Sequence, residues 1–414
     1  MNTLNLELLK KAVGGEYAAI RRITRLEPQG EKVFPPTYEG GEYADEPRVR
    51  KGDDGKTVVV ETILLDSVQS QANRLELALL RAYDGRRIRM PLLEVVFGAS
   101  SGDDQILKEV GRITALEAPH RMCDAIFRDS TNGERPFREA GIGASLNTAK
   151  SANATSVFEI CPTALLFGFW DSTGPRGGLG AKVQRALVSE IVGYQAERGK
   201  RPASRLDPLQ IEKPEELGVF AKRGGGWTLD RELAVEDKDG NPVKLKPSNL
   251  NHGNITPSLR HEDKKTGKQV LNHGGVTLAY AVQHTVLSLA ALRRLRFPLN
   301  NVAAPASDLA ARTVLAALGL AAMCLLDEDG YDLRSRCLLD GKPGTFEFVG
   351  RGEVAPFSVD TTLAVRILDE AIAEATALGL PWPLEPVTLR PSEELSRLVV
   401  ESRRRSMAAD SAER

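Results

Sequence analysis

The amino-acid sequence predicts an α+β protein, and three observations support this class. Strand-like segments alternate with helix-like segments at 57–83 and again at 163–193, and further strand-like runs lie between and after them. The region 199–275 has little periodicity and is interrupted by glycine-rich turns. The hydrophobic content of 42% is ordinary for a globular protein, and 414 residues suffice for one elaborated domain or for two to three ordinary ones.

The first strand–helix unit is the clearest local prediction. The run Thr57–Leu65 (TVVVETILL) is rich in β-branched residues and predicts a strand. Asp66 or Ser67 can then cap a helix over Val68–Tyr83. The spacing of its apolar residues predicts a buried face made of Val68, Ala72, Leu75, Leu79 and Ala82.

Polar side chains gather at the start of this predicted helix. Gln69 and Asn73 are four residues apart, as are Ser70 and Arg74, so each pair lies on one helix face. The positive end of a helix favours anions. Polar first turns are common in helices, however, so the pattern alone does not establish a binding site.

The stretch Thr163–Gly193 carries the most distinctive pattern in the chain. An apolar run from Ala164 to Trp170, bounded by turn-forming residues, predicts a buried strand. The recurrence of Val183, Leu187 and Ile191 predicts a helix. A glycine-rich loop joins the two, with glycines at Gly174, Gly177, Gly178 and Gly180.

A strand, a glycine loop and a helix in this order can bind an anion. The first amides of a helix have no internal partner, and glycines let a phosphate approach the backbone closely. Lys182 and Arg185 would add positive charge. The alternative is a tight turn with two solvated cations. A nucleotide P-loop is disfavoured, because Ala181 separates Gly180 from the lysine and Val183 replaces the metal-binding hydroxyl.

The later region predicts an inserted basic module. Between Lys244 and Lys268 there are six basic residues and two acidic ones. We therefore divide the chain into a main body, 1–205 with 276–414, and an insertion, 206–275. Ser307–Leu326 predicts a long buried helix.

The residue types that bind metals or form disulfides show no functional spacing. The four cysteines are scattered, and the five histidines fit no usual zinc pattern, so we expect neither a metal nor another cofactor. The N-terminus shows no secretory pattern, and we expect a cytoplasmic protein.

Three stretches together are similar to one known family. They are Glu61–Glu76 (ETILLDSVQSQANRLE), Phe167–Glu190 (FGFWDSTGPRGGLGAKVQRALVSE), and Asn251–Ser258 (NHGNITPS) with Gly274–Pro298. The chain resembles the backbone subunit of the type I-G (formerly I-U) CRISPR surveillance complex, or Cascade. That subunit belongs to the RAMP superfamily of RNA-binding Cas proteins. The similarity extends over most of residues 55–300, and the last hundred residues match in general character.

The resemblance implies a fold and a function. The implied fold is an RRM-like, ferredoxin-type palm of antiparallel strands backed by helices, with large insertions called thumb and fingers. The implied function is non-enzymatic: several copies oligomerise along one CRISPR RNA and leave its bases free to pair with target DNA in antiviral defence. The implied partners are the CRISPR RNA, target DNA through the guide, further copies of the chain and other type I-G Cas subunits, without a membrane.

The same resemblance implies RNA-binding residues, to which local charge adds two lysines. The motif QSQANR gives the first group, RGGLGAKVQR the second and NHGNITPS the third, while Lys244 and Lys246 rest on charge and position. These motifs could instead mark contacts between copies, and the loop 129–156 is a rival for the thumb. The candidates are Gln69, Ser70, Asn73, Arg74, Arg176, Gly177, Gly178, Lys182, Arg185, Lys244, Lys246, Asn251, His252 and Asn254.

Composition leaves RNA binding open and limits its chemistry. The net charge of −1 excludes a uniformly basic surface but permits a local stripe of cations. The aromatic content of 5% argues against a binder dominated by base stacking.

Two alternative functions stay open. The first is a RAMP-type endoribonuclease that processes CRISPR RNA, for which His120, His252 and His273 are available. The second is a nucleotide-binding enzyme that uses the glycine loop.

Overall fold

The structure is a computed structural model that mixes α-helices with mainly antiparallel sheets, which confirms the α+β class. It describes residues 2–52, 54–99, 104–139, 141–174, 180–211, 217–245, 250, 252, 254–262, 267, 269–271 and 273–413. The chain forms two compact units. The larger comprises Met1–Glu197 and Val276–Ser396, and the smaller comprises Arg198–Gly275 and Arg397–Arg414.

The strands are numbered in chain order. They are β1 Asn2–Thr3, β2 Ala19–Pro28, β3 Asp45–Lys51, β4 Thr57–Asp66, β5 Leu93–Val96, β6 Arg112–Thr114, β7 Ser130–Asn132, β8 Arg135–Pro136, β9 Phe169–Trp170, β10 Lys182–Val183, β11 Leu187–Tyr194, β12 Glu197–Lys200, β13 Ala203–Arg205, β14 Phe220–Ala221, β15 Trp227–Thr228, β16 Ile255–Ser258, β17 Arg260–Glu262, β18 Gln269–Leu271, β19 His273–Thr277, β20 Tyr280–Ser288, β21 Tyr331–Asp332, β22 Leu338–Asp340, β23 Phe346–Gly350, β24 Glu353–Ser358 and β25 Val387–Pro391.

The α-helices of the described residues are numbered in the same way. They are α1 Leu6–Lys11, α2 Val68–Asp84, α3 Gln105–Val110, α4 Ala125–Arg128, α5 Gly141–Ser145, α6 Thr155–Ile160, α7 Pro162–Phe167, α8 Leu289–Leu292, α9 Pro305–Asp329, α10 Thr361–Ala377 and α11 Glu393–Glu413.

The larger unit is organised around one large sheet. Its main path runs β1–β24–β23–β2–β20–β11–β4–β3, and every pairing on this path is antiparallel except that of β1 with β24. Helices α2 and α9 contact the same face of this sheet, since Gln71 of α2 bonds Ser189 of β11 and Asp327 of α9 bonds Arg22 of β2. The other face carries the alternate side chains of the same strands.

A second sheet and short hairpins complete the structure. The second sheet runs β6–β5–β25–β7–β8, in which β5 and β25 are parallel and the other pairs are antiparallel. In the smaller unit, the antiparallel pairs are β13 with β16, β14 with β15 and β17 with β18.

The first strand–helix unit has the predicted structure. β4 ends at Asp66, and the Oγ of Ser67 caps α2 by accepting a hydrogen bond from the Ser70 amide at 3.2 Å. Four of the five predicted core positions are buried, and Val68 is half-buried at the first turn. Local β-branched composition and a capped amphipathic pattern agree here, so the prediction succeeds.

The segment 163–193 differs from its predicted structure. The apolar run forms the short helix α7 and then β9, and the residues after the loop form β10 and β11 instead of a helix. The spacing of four between Leu187 and Ile191 fits a strand as well as a helix, because four is a multiple of the strand period. In β11 these two residues and Ser189 face the helices. The predicted anion site at a helix start is therefore wrong.

Helix α9 forms the centre of the core. Pro305 starts it and Gly330, with a φ of 77°, ends it. Nearly every residue from Ser307 to Leu326 is buried, as predicted. Among the described residues, α9 is the single helix long and apolar enough to cross a membrane, but 94% of its most apolar 18-residue stretch is buried inside the protein. That burial is typical of the core helix of a soluble protein.

Candidate nucleic-acid interface

The polar cluster at the start of α2 surrounds a buried carboxylate. Asp66 is fully buried, and it accepts hydrogen bonds from Ser70 Oγ at 2.7 Å and from Arg74 Nε at 3.0 Å. A buried charge without such partners would be costly. Ser70 and Arg74 therefore hold the junction of β4 and α2, whereas Gln69 and Asn73 lie exposed on the helix surface.

Gln71 is a structural residue that sequence reasoning missed. Its Oε1 accepts hydrogen bonds from Ser189 Oγ and from Gln283 Nε2, both at 2.9 Å, and its Nε2 donates to Asp66 Oδ2 at 2.6 Å. This buried network joins α2 to three strands. Its signal in the sequence was the spacing of four from Leu75, which places Gln71 on the buried face of the helix.

The described ends of the glycine loop pack around Asp171. Its buried carboxylate accepts a hydrogen bond from Arg138 Nη2 at 2.7 Å. A Cβ on Gly174 would lie 2.4 Å from this carboxylate, and a Cβ on Gly180 would lie 1.7 Å from the Asp171 carbonyl oxygen. Close packing therefore requires both glycines. Three of the predicted residues lie outside the described residues: Arg176, Gly177 and Gly178.

Arg185 supports the turn that precedes this loop. Its Nε donates a hydrogen bond to the carbonyl oxygen of Phe167 at 3.1 Å. Gly168 adopts a φ of 80°, and a Cβ there would lie 2.9 Å from the Arg185 side chain. Burial lowers the pKa of Arg185, and the nearby Arg121 guanidinium lowers it further. Arg185 thus contacts the protein backbone in this structure.

A buried ion pair lies next to the same turn. Glu76 of α2 accepts two hydrogen bonds from Arg121, both at 2.7 Å, and Arg121 also donates to the carbonyl oxygen of Gly168 at 3.1 Å. Burial raises the pKa of Glu76 to about 7, although Arg121 opposes the rise. Arg121 has a φ of 52°, which is uncommon for a residue with a side chain. The pair joins α2 to the turn before β9.

A cleft of about 320 Å³ lies beside β10. Lys182 and Arg294 supply its cations, and Arg294 Nη1 donates a hydrogen bond to Gln184 Oε1 at 2.8 Å. The Nζ of Lys182 lies 5.5 Å from the centre of the Trp170 ring. Neither cation pairs with a carboxylate among the described residues, so both charges can attract an anion.

Two arginines on the open face of the main sheet, opposite α2 and α9, are neutralised by carboxylates. Arg21 pairs with Glu347 and Arg48 pairs with Glu190, each at 2.7 Å. These four residues lie on β2, β23, β3 and β11. Arg50, also on this face, donates a hydrogen bond to Tyr280 Oη at 3.1 Å and has no carboxylate partner among the described residues. The pairing of Arg21 and Arg48 therefore weakens the attraction of this face for a phosphate chain but does not abolish it.

The predicted residues of the smaller unit are partly described. Lys244 is exposed and forms an isolated bridge with Phe220. Asn254 Oδ1 accepts a hydrogen bond from the Asp207 amide at 2.8 Å, and His252 Nδ1 lies 3.9 Å from Asp207 Oδ2, which is too far for a hydrogen bond. Within the described ranges, no three His, Cys, Asp or Glu side chains are grouped to hold a metal ion. Two predicted residues lie outside the described residues: Lys246 and Asn251.

Comparison with known proteins finds similarity to a family model over part of the chain. No curated protein matches the chain. Residues 21–198 match the family model described as CRISPR-associated protein GSU0053. This range contains most of β2 and all of β4, α2, the glycine loop and β11. The match marks a CRISPR-associated protein family, and at the level of a Cas protein it confirms the resemblance found in the sequence.

Proposed function

We propose that the chain is the backbone subunit of a type I-G surveillance complex, binds CRISPR RNA and oligomerises along it for target DNA recognition. The family match supports a role in CRISPR defence. The observation that carries RNA binding is the cleft in which Lys182 and Arg294 lack carboxylate partners among the described residues. Other type I-G Cas subunits, further copies of the chain and target DNA paired with the guide would be its partners, in the cytoplasm.

The strand order supports an RRM-like, ferredoxin-type palm. Along the chain, the elements β2, α2, β11, β20, α9 and β23 follow a β-α-β-β-α-β order. In the sheet, the same strands lie in the order β23–β2–β20–β11, with antiparallel neighbours and with both helices on one face. The β3–β4 hairpin is then an insertion between β2 and α2. Residues 206–275 would form the thumb-like module on a palm of 1–205 and 276–414.

The cleft suits recognition of an RNA backbone. A guide-binding scaffold must accept any spacer, so its contacts should address phosphates and sugars in preference to base edges. Lys182 and Arg294 can contact phosphates, and the side-chain amide of Gln184 can donate a hydrogen bond to a hydroxyl or a phosphate. Exposed Gln69 and Asn73 remain candidates for direct contact. Their helix neighbours Ser70 and Arg74 would act by holding the helix in place.

Co-purification tests the proposal. The chain would be expressed with a CRISPR array and the remaining complex subunits, as wild type and with Lys182→Glu combined with Arg294→Glu. We expect wild type to retain RNA of spacer-plus-repeat length in a large particle, and the double variant to lose it. Lys11→Glu combined with Arg366→Glu, two exposed cations that do not line the cleft, is the charge-matched control. Equal RNA retention by both variants would contradict the proposal.

A RAMP-type endoribonuclease is the second candidate, and the observation that raises it is that His252 lies 3.9 Å from the carboxylate of buried Asp207. At 3.9 Å the carboxylate does not orient the imidazole by a hydrogen bond. Incubating the protein with repeat-containing RNA decides between the two functions, since cleavage that disappears in His252→Ala would replace the scaffold proposal. A nucleotide-binding enzyme is less well supported, because the glycine loop leads into β10 and not into a helix start.

A further inference from the structure

Trp170 is one of two half-exposed tryptophans. Its relative exposure is 53% and that of Trp227 is 51%, whereas Trp382 is 8% exposed. The two residues of β9 face opposite ways: Phe169 is buried opposite Val183, and Trp170 is exposed opposite Lys182. Folding therefore uses Phe169 for the core and leaves the indole in water. A large aromatic side chain that the core does not use often marks a contact with a ligand.

The exposed indole adjoins the cationic cleft. Lys182 lies opposite Trp170 in the β9–β10 pair, and its Nζ is 5.5 Å from the ring centre, within the range of a cation–π contact. Lys182 also lines the cleft with Gln184 and Arg294. An aromatic ring, two cations and an amide therefore share one stretch of surface. A nucleotide in a single strand presents matching groups, namely a flat base, a sugar hydroxyl and phosphates.

We propose that Trp170 and the cleft form a nucleotide subsite in which one RNA base stacks on the indole and the adjacent phosphates contact Lys182 and Arg294. This inference rests on the proposed function and adds a base contact to it. Stacking tolerates any sequence because every base has a π-face, so the contact is compatible with a guide of arbitrary sequence. A single base per chain also agrees with the low aromatic content of 5%.

Tryptophan fluorescence and RNA affinity test the subsite in the full-length chain. The probes are a short single-stranded oligouridylate and the same oligomer with abasic sites. We expect the oligouridylate to quench the fluorescence of wild type, and the quench to be largely lost in Trp170→Phe and retained in Trp227→Phe. Trp227 is 51% exposed and is the matched control. Trp170→Ala should weaken oligouridylate binding about 5- to 150-fold, while Trp170→Phe retains most of the affinity.

The abasic oligomer separates stacking from a general structural effect. It should bind wild type and Trp170→Ala equally, because neither complex contains the stacked base. An equal loss for both oligomers, or no loss for either, would overturn the inference. RNA binding that depends on Lys182 and Arg294 but not on Trp170 would leave the proposed function standing without this subsite. Failure of wild type to bind either oligomer would overturn the proposed function and this inference together.

Discussion

Replacing Glu76 with glutamine should remove a pH dependence of stability. The carboxyl is buried, and its pKa rises from an ordinary value of 4.5 to about 7, chiefly through burial. The folded state therefore holds a proton that the unfolded state releases as the pH rises from 4.5 to 7. Stability from this group is fully present below pH 4.5 and is lost as the pH rises through that window.

The magnitude follows from the same pKa values. At about 1.4 kcal/mol per pKa unit, a rise from 4.5 to about 7 corresponds to about 3 kcal/mol of unfolding free energy. Glu76→Gln does not titrate, so wild type should lose about 3 kcal/mol more than the variant between pH 4.5 and pH 8. Urea unfolding followed by circular dichroism at several pH values measures this difference, and the comparison removes the titration of every shared group.

Two results would refute this reasoning. Parallel stability curves for wild type and Glu76→Gln would show that Glu76 has the same pKa in the folded and unfolded states. A wild type that gains stability over the variant as the pH rises would show that the Arg121 contact outweighs burial. Arg121→Met is the complementary perturbation. It removes the positive charge that opposes the rise, so the pKa of Glu76 should rise further, and the variant should lose more unfolding free energy with increasing pH than wild type does.

Three further predictions concern buried residues of the larger unit. Asp66→Asn removes the charge that Arg74 neutralises and should cost about 3 kcal/mol of unfolding free energy in urea titrations; a loss below about 0.5 kcal/mol would contradict it. In Gly168→Ala the new alanine would have a φ of 80°, and its methyl group would also collide with the Arg185 side chain. In Gly133→Ala the φ is 65° and the methyl group would have no atom within 4 Å, so Gly168→Ala should lower the thermal midpoint more than Gly133→Ala does. Equal shifts would count against the packing argument. Burial raises the pKa of Cys324 to about 12, so iodoacetamide should modify it after unfolding and not before; rapid modification of the native protein would contradict its burial.

Local patterns in the sequence predicted the first strand–helix unit, but they predicted little of the arrangement of strands in the sheet. Ser67, the β-branched run of β4 and the apolar face of α2 are neighbours in the chain, so their agreement could be recognised. The segment around Leu187 and Ile191 misled because a spacing of four suits both periods, and the pairing of β11 between β4 and β20 decided the outcome. The order of strands in the sheet depends on such distant pairings and has no local signal.

The sequence also predicted some residues of the candidate site and missed others. Lys182 was predicted from the motif around the glycine loop, although the helix on which that reasoning relied is a strand. Arg294 was missed as a partner, because it lies far along the chain and its hydrogen bond to Gln184 is created by the fold. Arg185 carries the same charge as Lys182, but in the folded protein its guanidinium donates a hydrogen bond to the carbonyl oxygen of Phe167. Charge and motif position could not distinguish these two cations.

The salt dependence of RNA binding tests the central claim most directly. Affinities of wild type and of Lys182→Gln combined with Arg294→Gln would be measured for CRISPR RNAs with unrelated spacers over a range of salt concentrations. If both cations contact phosphates, the slope of log affinity against log salt should become shallower by about 1.4, equally for every spacer. An unchanged slope, or a loss that depends on spacer sequence, would contradict backbone recognition in this cleft.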